Sequence, residues 1–207
     1  PISVIAPLGN ITNAQSPAPV ANRMAVGHRV VNAVMGAFAQ AAPNKIPASY
    51  YGVSYAYALS TQKTNGSSKV YFDLECGGWG GHPTCDGANA FSCGFHNIAN
   101  TPVEMIENDY PITFLSYSLA PNSGGKGKFR GGLGLVREFR LDAKVGVFAA
   151  NFDRFKIPPY GLFGGSPGRP GNLSVLYFGR KSKTFLPSKV SGLNLKAGDI
   201  IRIETSG

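Results

Sequence analysis

Three cysteines, two of the three histidines and a run of side-chain amides crowd into one short stretch. Cys76, Cys85 and Cys93 lie close in sequence, with His82 and His96 interleaved. Thiolate and imidazole are the ligands of structural zinc, which takes four of them. A zinc-stabilised binding domain on Cys76, Cys85, Cys93 and His96 is therefore one reading. The close Cys-x-x-Cys pairs of such sites are missing, so buried thiols are expected instead and no metal is assigned to this chain. A nucleophilic Cys85 or Cys93 beside His82 or His96 is the other chemistry these residue types allow.

The same stretch carries polar groups suited to holding a small molecule. His96, Asn97, Asn100 and Thr101 fall within six positions. Neutral amides and imidazole exchange hydrogen bonds with a carbonyl or carboxylate without burying a charge. They also satisfy backbone groups in irregular loops, and both readings stand. Asp86 and Glu104 are candidate acids or bases, although a turn and a helix start explain them more simply. His28 sits beside Arg29, off the apolar stripe of its helix, and reads as a solvated or interface histidine. The P-loop pattern and Gly-x-Ser-x-Gly are absent. Ser166 precedes a proline and is a turn serine.

Glycine must shape whatever these residues form. Cys76-Gly-Gly-Trp-Gly-Gly-His-Pro-Thr-Cys-Asp-Gly87 is a tight loop around Trp79, and Asn122 to Gly134 is a second glycine cluster carrying Lys126, Lys128 and Arg130. Glycine lets backbone approach something closely. Residues 158–171 are a Pro/Gly loop with no regular structure expected.

The positioning elements are mostly strands. Residues 1–21 read as an extended, proline-punctuated segment that must lie across another surface, and 22–207 as one α+β domain. The long helix starts near Asn22, a good N-cap type, and ends before Pro43. Met24, Val30, Val31, Val34, Met35, Phe38 and Ala42 give it an apolar stripe. A short helix is expected from Thr101 to Asn108, with Pro102 in its first position. Strand patterns cover Lys69–Cys76, Ile112–Leu119, Leu133–Leu141, Val145–Phe152, Leu173–Phe178 and Asp199–Glu204, and a polar turn covers Gln62–Ser68. Short turn-separated strands predict mostly antiparallel sheets.

Bulk composition narrows the function classes. The chain has 207 residues, 43% of them hydrophobic and 15% charged, with 27 glycines and 15 prolines, as a turn-rich globular body would. No apolar run approaches a membrane span. The formal charge of +9 is scattered apart from Lys126–Arg130 and Arg180–Lys183. With no recognition helix or RNP-like strand, nucleic acid is not expected, and an acidic partner chain accounts for the charge. An odd number of cysteines suggests a reducing, cytoplasmic setting.

Several stretches together resemble the C-terminal part of hydantoinase B. They are Gly77–Gly87, Asn97-Ile-Ala-Asn-Thr-Pro-Val-Glu104, Asp109-Tyr-Pro111, Ser123–Glu138, the helix Arg29–Pro43, Pro158–Gly168 and Leu195–Gly207. That family includes the B half of ATP-dependent 5-oxoprolinases, N-methylhydantoinases, and components of acetone and acetophenone carboxylases. The resemblance implies a larger B-type polypeptide whose metal-binding motifs lie in an N-terminal half, and a hydantoinase A-like partner that uses ATP and Mg²⁺. It implies that the B half hydrolyses a cyclic amide or carboxylates a ketone after activation by phosphorylation. The pocket expected from it is walled by Trp79 and the glycine loop, with His82, Asp86, His96, Asn97, Asn100 and Thr101 as candidate lining residues. No catalytic residue is assigned, and the substrate stays open. The alternative is a non-catalytic chain that docks an acidic partner.

Overall fold

The computed structural model describes residues 3–62, 68–94 and 96–207. Helix α1 spans Arg23–Ala41 and the short helix α2 spans Val103–Asp109. The strands are β1 (Tyr55–Gln62), β2 (Ser68–Glu75), β3 (Ile112–Leu119), β4 (Leu135–Leu141), β5 (Val145–Asn151), β6 (Asn172–Leu176), β7 (Thr184–Phe185), β8 (Lys189–Lys196) and β9 (Ile200–Glu204). They form two antiparallel sheets, one ordered β2-β1-β5-β8 and the other β3-β4-β9-β6-β7. The strand-rich α+β expectation is thus met. Strands β7 and β8 carry no clear sequence pattern, and α2 starts two residues later than expected, with Pro102 in the N-cap position. The turn expected at Gln62–Ser68 falls largely outside the described residues.

Alternation explains why the sheets close on each other. Tyr55, Tyr57, Leu59 and Thr61 of β1 point inward while their neighbours are only partly covered, as a period of two requires. One core takes Tyr57, Leu59 and Phe148 from the first sheet and Phe139, Leu173, Val175 and Ile201 from the second. The Tyr57 and Phe139 rings stack at 5.9 Å between centroids. Such aromatic pairs add about 0.5–1.5 kcal/mol beyond their burial.

A charged knot also joins the sheets. Arg137 on β4 pairs with Asp73 on β2, and its Nε lies 2.9 Å from Glu75 Oε1 on the same strand. Its Nη1 donates to the Tyr57 and Tyr71 hydroxyls, and its guanidinium lies over the Tyr117 ring at 4.3 Å. Arg137 is 3% exposed and Glu75 1%. Burial pushes the Glu75 carboxyl up to about 7, against the pull of Arg137.

Helix α1 meets the expected burial only in part, with Val31 packed on the core. Its buried residues are His28, Asn32 and Ala39, while Val30, Val34 and Phe38 are exposed. The reason is a set of polar anchors on its inner side. Asn32 Nδ2 donates to the His28 carbonyl at 3.1 Å, Ser49 Oγ donates to Asn32 Oδ1 at 3.0 Å, and Arg154 Nη2 donates to Ser49 Oγ at 2.7 Å. Tyr160 donates to the Asn32 carbonyl at 3.1 Å and passes against Gly36, where a Cβ would stand 2.8 Å from its hydroxyl. Asn22 occupies the N-cap position but turns its side chain to Asn151 at 2.9 Å. Residues 3–21 hold no helix or strand, and Val4, Ile5, Leu8 and Ile11 on them are exposed.

Candidate functional site

The two glycine clusters stack backbone on backbone. The Trp79 N–H donates to the Ala88 carbonyl at 3.0 Å, and Gly132 N–H donates to the Trp79 carbonyl at 2.7 Å. Gly87 N–H reaches the Arg130 carbonyl at 2.8 Å, and Gly78 N–H reaches the Ser206 carbonyl at 3.0 Å. A Cβ on Gly78, Gly87 or Gly132 would enter a neighbouring carbonyl. Close approach of peptide planes, rather than a phosphate cradle, accounts for these glycines.

This layer floors a cleft of about 390 Å³. Its rim carries Trp79, His82, Lys126, Lys128, Phe129 and Tyr160. Ser166 locks the rim as a turn residue: its Oγ accepts from the Lys126 N–H at 2.9 Å and donates to the Lys126 carbonyl at 3.1 Å. Asp86 accepts the Arg130 N–H at 2.9 Å and pairs with its guanidinium at 3.3 Å. Its position is that of a loop brace.

A second cluster lies behind Trp79, against α1. Trp79 stacks on Tyr50 at 5.3 Å, and its Nε1 donates to the Ser92 carbonyl at 2.9 Å. The Tyr50 hydroxyl donates to the His28 carbonyl at 3.3 Å and lies 3.1 Å from His28 Nδ1. With its proton committed to the carbonyl, Tyr50 accepts from Nδ1–H, which puts the acceptor lone pair of a neutral His28 on Nε2. That atom is 3.4 Å from His96 Nε2 and 3.3 Å from Cys93 Sγ. Ser54 Oγ sits 2.7 Å from His96 Nδ1 and 3.3 Å from Cys93 Sγ.

Burial lowers the His28 pKa to about 4, with the charges of His96 and Arg29 adding to the effect, and burial also lowers that of His96. Burial raises the Tyr50 hydroxyl to about 12. Both imidazoles are therefore neutral near pH 7.

A pH-dependent contribution to stability follows. Between about pH 4 and 6.5 the unfolded chain protonates His28 and the folded chain does not, so stability rises with pH across that window. Glu75 acts in the opposite sense over part of it, because its folded pKa lies above the unfolded one. Subtraction of a His28→Gln variant removes the Glu75 contribution. The stability difference between wild type and His28→Gln, from denaturant midpoints at pH 4.5 and 7, is expected to grow with pH. Equal slopes in the two proteins would refute this.

A third cavity, of about 210 Å³, holds Asn100, Thr101 and the Arg137 side of β4. The candidate residues named from sequence are thus distributed over three places. Trp79 and His82 share the cleft, His96 joins the inner cluster, and Asn100 and Thr101 line the third cavity. Asn97 is exposed on the loop between them.

The structure corrects two expectations. His28 is buried rather than solvated, and of the cysteines only Cys93 is buried; Cys85 is exposed and Cys76 half-buried. Cys76 and Cys85 do not join Cys93 in any ligand-like group among the described residues. Tyr50 and Ser54, both part of the cluster, carry no sequence signal of their own beyond lying on the approach to β1.

Comparison with known proteins places this architecture. The sequence model of the family described as Hydantoinase B/oxoprolinase matches residues 1–207. The chain belongs to that family. It is 34% identical over 203 residues to the B-type chain of a D-/L-hydantoinase from Pseudomonas sp. (strain NS671), covering 98% of this chain and 34% of that one. The ATP-dependent caprolactamase of Pseudomonas jessenii superposes with a TM-score of 0.85 at 25% identity, covering 99% of this chain and 37% of the other. An acetone carboxylase structure shares the fold, with a TM-score of 0.61 at 15% identity over 79% of this chain and 26% of its own. The chain spans about a third of the length of the first two of these proteins and about a quarter of the third. Among the described residues no helix is long and apolar enough to cross a membrane.

Proposed function

We propose that this chain is a portion of the hydantoinase B-type component of an ATP-dependent enzyme that opens cyclic amides, of the 5-oxoprolinase or hydantoinase type, or carboxylates a ketone. The observation that carries this reading is the family match along the whole chain, joined to 34% identity with a hydantoinase B-type chain of which it spans a third. The enzyme works as a heteromeric complex, and the chain alone is inactive. ATP and Mg²⁺ are held by a hydantoinase A-like partner, and the remaining, N-terminal part of the B-type polypeptide holds its divalent metal. Its setting is the cytoplasm.

ATP supplies the leaving group by phosphorylating the amide or enol oxygen. What remains for this chain is to position the activated molecule and to exclude water. In the cleft, Trp79 presents a flat apolar face and His82 a hydrogen-bonding edge, while Lys126 and Lys128 offer positive charge to an anionic group. Asn97, Asn100 and Thr101 act as polar guides along the neighbouring loop, His96 anchors that loop through Ser54, and Asp86 braces the glycine layer against Arg130.

The test uses the native particle, captured through this chain. It should contain a hydantoinase A-like chain and consume ATP in step with opening of 5-oxoproline, hydantoin or a lactam, or with carboxylation of a ketone. Trp79→Ala should lower kcat/KM about 100-fold through loss of positioning. A particle with no ATP-binding chain and no such turnover would overturn the assignment. Full activity after alanine substitution at Asn97 and Asn100 would remove those two from the guiding set. The exposed Val30, Val34 and Phe38 together with the +9 charge favour one other reading, a non-catalytic chain that docks an acidic partner. Unchanged turnover by a particle lacking this chain would establish it.

A further inference from the structure

We propose that His28, Cys93 and His96 form a binding site for a borderline-soft divalent transition ion, with zinc the best fit. The site is distinct from the divalent metal expected in the N-terminal part of the B-type polypeptide, and it stands independently of the amide chemistry proposed above.

The distances carry the assignment. At zinc bond lengths of ~2.05 Å to nitrogen and ~2.3 Å to sulfur, a tetrahedron has edges of about 3.3 Å between nitrogens and about 3.6 Å between nitrogen and sulfur. His28 Nε2 lies 3.4 Å from His96 Nε2 and 3.3 Å from Cys93 Sγ. Cys93 Sγ also lies 3.5 Å from His96 Nδ1, the ring nitrogen turned to Ser54, so this contact places the sulfur beside the ring and is not itself a donor-to-donor edge. One donor atom from each of the three residues falls within 4.8 Å of the others.

The surroundings orient the donors as a metal requires. Ligating imidazoles typically donate their second N–H to a neighbouring oxygen, which fixes the tautomer. His28 Nδ1 has the Tyr50 hydroxyl at 3.1 Å, and His96 Nδ1 has Ser54 Oγ at 2.7 Å. Both Nε2 atoms are thereby turned toward each other. Ser54 also reaches Cys93 Sγ at 3.3 Å, so its proton can go to a thiolate while its oxygen accepts from His96.

A nucleophilic cysteine explains the geometry less well. Cys93 is 1% exposed, and a thiol buried this way has no path to a substrate. The donor set, two imidazoles and one thiolate, favours zinc over magnesium or calcium. With three protein donors, the fourth corner falls to water or an oxygen ligand. The ion would fasten α1 to the loop carrying Cys93 and His96, across the wall formed by Tyr50 and Trp79.

Co²⁺ is the probe, used on the chain within its native particle. After loading and dialysis, a thiolate-to-cobalt charge-transfer band is expected, and Cys93→Ser should abolish it while Cys76→Ser and Cys85→Ser retain it. Zinc content should fall by one ion per chain in Cys93→Ser relative to wild type. Tyr50→Phe, which keeps all three donors, should weaken Zn²⁺ retention about 10-fold or more. Zn²⁺ should raise the unfolding midpoint of wild type and not of His28→Gln, a readout that remains if Cys93→Ser folds poorly. Absence of the band, or a band and zinc content unchanged in Cys93→Ser, would overturn the proposal.

Discussion

Replacement of Arg137 by methionine is expected to destabilise the chain by about 3–5 kcal/mol, the range for removing one partner of a buried ion pair. The guanidinium is the only described positive group paired with Asp73 and Glu75. Methionine restores much of the volume, so the loss measures charge more than cavity. Glu75, 1% exposed, would then either stay ionised without a counter-charge or take up a proton. The second route makes the defect smaller at low pH. A Glu75→Gln change in the Arg137→Met background should therefore recover part of the loss, and a double-mutant cycle on denaturant midpoints measures that coupling. Additive single and double variants would show that the knot is not a unit. Because Arg137 belongs to one sheet and Asp73 and Glu75 to the other, the variant should also loosen the contact between sheets.

The second large effect lies in the glycine layer. Gly132→Ala is expected to cost about 3 kcal/mol or more, at or beyond the usual range for overpacking. Its Cβ would enter the Ala88 carbonyl. That carbonyl cannot retreat, since it accepts the Trp79 N–H at 3.0 Å, while Gly132 itself donates to the Trp79 carbonyl at 2.7 Å. Gly192→Ala is the control. It has φ +71° with open space around it, so only the left-handed strain of about 1–2 kcal/mol applies. Thermal or denaturant midpoints of equal size for the two variants would refute the close-packing account.

Much of the sheet architecture was legible because its inward residues alternate with turn signals between them. Ile112–Leu119 emerged from sequence with its boundaries intact, and β4, β5, β6 and β9 within one or two residues. Strand β8 was not visible. Its Lys-Val-Ser-Gly-Leu-Asn-Leu-Lys reads as turn chemistry, and its strand form depends on pairing with β5 at a sheet edge. The inner cluster was half legible. Cys93 and His96 lie three residues apart, and the His96 N–H closes on the Cys93 carbonyl at 2.8 Å. His28 lies 65 residues upstream of Cys93, on a helix whose expected apolar stripe is only partly turned inward, Val31 packing on the core while Val30, Val34 and Phe38 are exposed. Hydrogen bonds from Asn32, Ser49, Arg154 and Tyr160 overrode that stripe. No local pattern announces such a choice, since it depends on side chains distant in sequence.

The backbone floor of the cleft bears on redesign. Much of this surface is peptide plane with no side chain to exchange, and a Cβ on Gly80, Gly81, Gly125 or Gly168 would enter a carbonyl. Ligand preference at this cleft is therefore retuned from its side-chain-bearing positions, among them Trp79, His82, Lys126, Lys128, Phe129 and Tyr160. A saturation library at those six positions leaves the packed backbone intact, whereas one directed at Gly80, Gly125 or Gly168 would return mostly unfolded chains.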